Sequence, residues 1–440
     1  MTAARSSAPV TEPKWATQRF GLALHHLSAP GPDRVELLVE PGLRRNPKRA
    51  HLLVSTVLGK HIPTDPADVL GAGNRLGDLV AGLLADATRT TVVLGFAETA
   101  TGLGHCVADR IGAACYLHST RRHVPRSPVF AGFEEGHSHA TSHLLLPTSP
   151  DLFANDAPLV LVDDEISTGA TAIDAIRALH RHHPRRRYVV ASLVDMREER
   201  HRQATRAAAA ELGASIDHVS LAAGRTELPD GLAAEVTALA APDLNPTADR
   251  RGHARFVELP WPADVPDGGR HGFLRDDTER FDDAIRCATD VLTASRDATR
   301  PAIVIGHEEL MYLPLRLAEA LTVRGTPARF QTTTRSPAYV RDSPGYPLRR
   351  GFSFIAPESV AAEHEDETPR HLYNAQWPDR EGQRAELLLV VDAPADTDRL
   401  RASGGLVDVL TAAGEDVLVA TVPSTDPAVL TARRHEGGRP

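Results

Sequence analysis

In the run LVLVDDEISTGAT, residues 159 to 171, two adjacent carboxylates, Asp163 and Asp164, are followed by Ser167, Thr168, Gly169, Ala170 and Thr171. Paired carboxylates accept hydrogen bonds from neighbouring hydroxyls or hold an oxygen-seeking cation. Hydroxyls, free backbone N–H groups and a close-turning glycine at a helix start form a cradle for a phosphate. Leu159 to Val162 are aliphatic, the signature of a central parallel strand. Ile173, Ile176, Ala178 and Leu179 recur at helical spacing, which predicts a helix beginning near Ala170 to Thr171.

Other segments carry compatible chemistry. GFAETATGLG, Gly95 to Gly104, presents Glu98, Thr99, Ala100, Thr101 and Gly102 as a nest of N–H groups and hydroxyls, or else as a plain glycine-rich turn. Arg121 and Arg122 end the next strand, and arginine forks suit phosphate oxygens. A long polar segment then supplies Glu134, Glu135, His137, His139 and His143, fit for acid and base work; His-x-His-x₃-His also has the spacing of a zinc site. Nearer the N-terminus, Arg45, Lys48, Arg49, Lys60 and His61 surround an apolar stretch read as a helix. The chain has only three lysines, Lys14, Lys48 and Lys60, and two of them fall here. That concentration points to an anionic ligand, against the plainer reading of a basic helix with solvated ends.

The elements that must position these residues alternate between strand and helix from about residue 19 to 225, which predicts a mostly parallel sheet with its ligand site at the carboxyl ends of the strands. VELLVE, TTVVLGFAE, ACYLHST, PLVLVDDE and RRYVVASLVD read as strands. Residues 1–18 read as a flexible lead, 226–254 as a linker, 255–432 as a second α/β domain and 433–440 as a tail. The halves share a pattern: VVLGFAETATGLGHCVADRIG matches IVIGHEELMYLPLRLAEALTVRG, YLHSTRRH matches FQTTTRSP, and LVLVDDEISTGAT matches LLLVVDAPADTDR. The second half is therefore read as a degenerate relative of the first.

At 440 residues the chain exceeds one ordinary core. A net charge of −9 gives no reason to expect nucleic-acid or membrane partners. Cys106, Cys115 and Cys287 form neither a disulfide framework nor a metal spacing, and the N-terminal residues lack a hydrophobic signal core. A cytoplasmic location is expected.

The strand, acid pair, Ser-Thr-Gly-Ala-Thr turn and helix together resemble the phosphoribosyl-diphosphate motif of type I phosphoribosyltransferases. The alternatives are a Rossmann-like strand end or a magnesium-binding acid pair in another nucleotide enzyme. NPKR with VSTVLGKHIP, FEEGHSHAT and Thr334-Arg335-Ser336-Pro337 extend the resemblance to the orotate-phosphoribosyltransferase-like family with a C-terminal TRSP domain, found with tellurium-resistance and stress-response clusters. The resemblance implies a type I fold, a Rossmann-like parallel sheet with a hood, and a magnesium-dependent enzyme of nucleoside-like biosynthesis. Phosphoribosyl diphosphate (PRPP), bringing Mg2+, would meet Asp163 and Asp164; Ser167 to Thr171 would hold the 5′-phosphate; and Glu98 to Gly102 with Arg121 and Arg122 would hold diphosphate. Glu134, His137 and His139 would sit on a catalytic lid, and Arg197, Lys60, His61 and Lys48 would face the acceptor. Arg335, Ser336 and Glu309 would line a second cleft or cap the first. The rivals are a sensor that binds PRPP without turnover and a PRPP-synthetase-like diphosphoryl transferase. Homodimerisation is a further expectation carried over from related enzymes.

Overall fold

The computed structural model describes residues 14–122, 124, 127–134, 142–358, 369–378 and 383–437. The strands of the N-terminal half are β1 (Ala23–Ser28), β2 (Val39–Leu43), β3 (His51–Ser55), β4 (Val92–Gly95), β5 (Cys115–His118), β6 (Ala131–Glu134), β7 (Ser142–Leu145), β8 (Leu159–Ile166), β9 (Arg187–Asp195) and β10 (Ser215–Glu227). Those of the C-terminal half are β11 (Ala254–Glu258), β12 (Phe273–Leu274), β13 (Ala302–Gly306), β14 (Ala328–Thr332), β15 (Gly351–Phe354), β16 (Arg370–Tyr373), β17 (Glu386–Asp392) and β18 (Val417–Val422).

The first sheet runs β1-β10-β9-β8-β4-β5-β12, its five inner strands parallel and its two edges antiparallel. The aliphatic runs seen in the sequence are buried on both faces, as parallel sheets covered by helices require: Val92 to Leu94 and Leu159 to Val162 are all at most 1% exposed. The second sheet, β11-β18-β17-β13-β14, is parallel throughout. The expected α/β class and second α/β domain are therefore observed.

Strand register makes the internal repeat concrete. Gly95 pairs with His118 and Val162, and Gly306 pairs with Thr332 and Val390. Counting outward, Glu98 corresponds to Glu309, Thr120 to Thr334, Arg121 to Arg335, and Asp164 to Asp392. Hairpin β6–β7 matches β15–β16, since Thr120 bridges to Leu144 and Thr334 to His371. One difference lies in chain order. The strand beside β9 is β10, which follows it, whereas the strand beside β18 is β11, which precedes the repeat.

Several local expectations are corrected. Val35–Leu38 is a short helix, with β2 beginning at Val39. The apolar stretch after Arg49 is not a helix but strand β3 of a hairpin with β2. Leu52, Leu53 and Val54 are all buried there, so the run has no one-sided periodicity to betray it. Within 226–254 lies the helix Leu232–Thr237, and after β11 the chain crosses back, β12 pairing with β5 of the first sheet. Within the tail, Arg433 and Arg434 bind Asp277.

Candidate active site

The helix Ala170–His182 starts where the sequence placed it, behind Gly169 at φ +78. That left-handed backbone favours glycine, and a Cβ there would lie 3.2 Å from Arg197 Cδ. Thr168 Oγ1 accepts from Ala170 N at 3.3 Å. The first-turn N–H groups have no intrahelical acceptor, and the helix dipole makes this end of the helix electropositive.

At the carboxyl end of β8 the two acids have different environments. Asp164 Oδ2 accepts from Lys60 Nζ at 3.3 Å and from Thr99 Oγ1 at 3.1 Å. Burial works to raise the Asp164 carboxyl, but Lys60 and the hydrogen bonds from its neighbours bring it below the ordinary range. Among the described residues no cation pairs with Asp163, and burial and the Asp164 charge push it well above the ordinary range. The electrostatics of the pair favour the proton on Asp163 and the charge on Asp164. Glu165, raised mainly by burial, accepts from Arg49 Nη2 at 3.1 Å.

The cations come from the β2–β3 hairpin and the loop beyond it. Arg44, Arg49 and Lys60 surround Asp164 and Glu165. Arg44 was missed in the sequence reading. Arg45 was chosen instead, but its guanidinium turns outward to Thr237 O. Strand alternation from buried Leu43 separates the two, a signal hidden once the segment is read as a helix. Lys48 is exposed on the hairpin turn. His61 is fully buried against Tyr373, with ring centroids 5.5 Å apart and neither ring nitrogen hydrogen-bonded. Burial and Lys60 keep its ring neutral.

The loop over Glu98 to Gly102 lies beside the acid pair through Thr99. Glu98 itself turns away, accepting from the Thr334 hydroxyl and from Arg335 N at 2.8 Å. The expected diphosphate contact from this loop is through backbone N–H groups and hydroxyls, which the direction of the Glu98 carboxylate leaves in place. Arg122 is corrected: its guanidinium binds Asp392 at 2.9 Å, Glu308 at 3.3 Å and Glu358 at 3.1 Å, all in the C-terminal half. Arg121 N donates to Glu309, and its side chain reaches His143 at 3.2 Å. Arg197 is tied to Asp195 and Thr205 and braces Gly169 from below. With its donors taken by Asp195 and Thr205, only its aliphatic stem meets the turn at Gly169, which corrects its placement facing the acceptor.

Of the lid residues, His137, His139 and the side chain of Glu134 lie outside the described residues. His143 is buried, stacked on Phe133 and bonded through Nδ1 to Ser119 Oγ at 2.8 Å. The zinc alternative thus has one of its three histidines engaged in packing. A different trio, His307, Glu308 and Glu358, has the compactness of a metal site. Arg122, Arg335 and Arg370 already neutralise its two carboxylates, which leaves no charge calling for a cation.

Glu309, Arg335 and Ser336 line no open cleft. Glu309 is 3% exposed in the contact between halves, accepting from Thr120 Oγ1 and Arg121 N at 2.7 Å each. Arg335 binds Glu308 through Nε and Nη2, both at 3.1 Å. Ser336 N donates to Thr334 Oγ1 at 3.1 Å, within the turn.

The acid pair gives a testable consequence for the ligand-free protein. A carboxyl whose folded-state pKa is raised stabilises the fold only while it stays protonated, and that contribution is lost as pH rises through the folded-state value. Asp163→Asn removes the ionisation but keeps an acceptor for Asp164 N, which now bonds Asp163 Oδ1 at 2.9 Å. The variant's melting temperature should therefore equal or exceed that of the wild type, with a gap that widens as pH increases. Melting curves across pH 5 to 9 check this, and a gap that narrowed with pH would contradict the proton assignment.

Comparison with known proteins matches residues 38–225 to a phosphoribosyl transferase family and residues 267–410 to the TRSP domain found C-terminal to it. Among curated proteins there is no match. Solved structures similar to the chain include adenine phosphoribosyltransferase from Trypanosoma brucei, at 16% identity over 45% of this chain and 87% of that one, TM-score 0.33. The Giardia lamblia adenine enzyme matches at 15% identity over 42% and 94%, TM-score 0.30. A Staphylococcus aureus hypoxanthine phosphoribosyltransferase matches at 14% identity over 32% and 69%, TM-score 0.22. At these values the structural likenesses carry no argument about substrate. The two family matches together span about three quarters of the chain; the chain carries a phosphoribosyl transferase domain followed by the TRSP domain found C-terminal to it.

Proposed function

We propose that the protein transfers the 5-phosphoribosyl group of PRPP to a base-like or aromatic-acid acceptor and releases diphosphate. The observation that carries this reading is the convergence on Asp164 of three separate elements: β8, the 98–102 loop through Thr99, and the hood through Lys60. On this reading the helix start at Ser167 to Thr171 would take the 5′-phosphate and the 98–102 loop the diphosphate, the two anionic ends of PRPP.

In the reaction the bond from C1 to the diphosphate oxygen breaks with its electron pair leaving on diphosphate. A lone pair of the acceptor then forms the new bond at C1. Asp163 and Asp164 would accept from the ribose 2′- and 3′-hydroxyls and fix the ring, while Thr99 and the N–H groups of its loop would receive the leaving group. Lys60 and Arg44 supply positive charge nearby. Asp163 and Asp164 offer carboxylate oxygens, and Asp163 resists ionising until more positive charge arrives, so the pair would hold Mg2+ carried in with PRPP, which would supply charge to offset that developing on diphosphate.

The test is diphosphate release from PRPP and Mg2+ with a panel of nucleobases, orotate and small aromatic acids. Acceptor-dependent release is expected. PRPP bound without release for every acceptor would favour a sensor, and consumption of ATP with ribose 5-phosphate would favour a synthetase. Sedimentation reads out the homodimer expected from related enzymes.

A further inference from the structure

The two halves meet through equivalent residues used reciprocally. Glu98 accepts from Thr334 Oγ1 and Arg335 N; Glu309 accepts from Thr120 Oγ1 and Arg121 N. Each glutamate stands three residues after the glycine ending its strand, and each Thr-Arg pair follows the neighbouring strand of the other half. The contact is an internal pseudo-twofold. We propose that the C-terminal half is a closed mate that takes no PRPP of its own and instead, through Thr334 and the edge of β14, positions the diphosphate loop and Lys60 of the N-terminal half.

Of Asp163, Asp164 and Thr99, the C-terminal crevice keeps only the counterpart of Asp164. Asp163 corresponds to Val391 and Thr99 to Leu310. The remaining acid, Asp392, is filled by Arg122 Nη1 at 2.9 Å and Arg270 Nη2 at 3.0 Å and is fully buried. Where the first half has a thirteen-residue helix after its turn, the second is broken into the four-residue Asp398–Arg401, preceded by Asp396, and then Leu406–Ala412. An anion at the first of these would meet Asp396 and Asp398.

The same half grips the working site at two places. Thr332 N donates to Gly59 O at 2.8 Å, and Phe330 and Thr64 exchange backbone bonds at 2.8 and 2.9 Å, fixing the loop that carries Lys60. A Cβ at Gly59 would lie 2.5 Å from the Phe330 ring, so the loop can lie this close only as glycine, at φ +74. Glu98 is anchored by Thr334 and Arg335, and Thr101 Oγ1 donates to Glu309 O at 2.9 Å. Thr99, the loop's contact to Asp164, lies between those two anchors. Thr334 is a positioning residue, acting through Glu98 on Thr99.

This inference rests on the transferase reading, and its test separates the two. With wild-type turnover established, Thr334→Val should raise the KM for PRPP about tenfold with a smaller change in kcat, as expected when a buried acceptor loses its donor and the loop it anchors is released. Thr334→Ser, which keeps the hydroxyl, should restore it. The mirror variant Thr120→Val removes the same kind of bond from the same contact and should lower the melting temperature comparably while leaving the KM for PRPP within about twofold of wild type. Equal effects of the two valine variants on KM, or none from either, would overturn the positioning role. Calorimetry of the wild type with PRPP and Mg2+ should give one site per chain; two would overturn the closed crevice. Absence of any PRPP binding would instead refute the transferase reading.

Discussion

Arg122→Met is expected to lower the melting temperature by roughly 10 °C, from a loss of about 3–5 kcal/mol at 2–4 °C per kcal/mol. Arg122 is 5% exposed and holds Asp392, Glu308 and Glu358 across the contact between halves, with Nη2 donating to His307 O at 3.1 Å. Methionine fills comparable volume but leaves buried carboxylates facing one another, and the cost is that of uncompensated charge. The pH dependence follows. Burial works to raise Asp392, but Arg122 and Arg270 hold it at about 2. A carboxylate with a depressed folded-state pKa stabilises above its unfolded value near 4, and that stabilisation is lost as pH falls toward about 2. The gap between wild type and variant should therefore be full at pH 7 and shrink below pH 4. Combining Arg122→Met with Asp392→Asn should recover part of the loss. Thermal melts of the wild type and the two variants against pH measure all of this, and an unchanged melting temperature for Arg122→Met would remove the ion network from any account of how the halves adhere.

Asp164→Asn should reduce kcat/KM for PRPP by about two to four orders of magnitude with the fold retained. Two charge-assisted bonds to the substrate hydroxyls at about 1.5–3 kcal/mol each set that range. The residue also holds Lys60 and Thr99, so the change disturbs three elements at once. Lys60 is only 14% exposed in its side chain and would lose its partner. Steady-state kinetics with the best acceptor provides the check, with circular dichroism to confirm folding. Turnover within tenfold of wild type would place the ribose site elsewhere.

The β8 motif was legible because it is local: apolar strand, acids, turn and helix follow one another, and each has its own composition rule. The repeat was legible for the same reason, since strand ends with Gly-x-x-Glu and Thr-Arg recur in order. The roles of Glu98, Arg122, Glu309 and Arg335 were not. Their types suit phosphate binding as well as ion pairing, and what decides between the two is which half of the molecule their side chains face, a fact set by packing across more than 180 residues of chain. The hood was misread because Leu52, Leu53 and Val54 are buried on both faces, which leaves a short apolar run without a period. With the hairpin went Arg44, whose inward direction follows only from strand alternation.

The central claim is tested most directly by titrating PRPP with Mg2+ into the wild-type chain and into Asp164→Asn by calorimetry. Binding to one site per wild-type chain, lost in the variant, is the predicted result. No binding to the wild type, or equal binding to both proteins, would contradict the assignment of the acid pair at the end of β8 to the phosphoribosyl group.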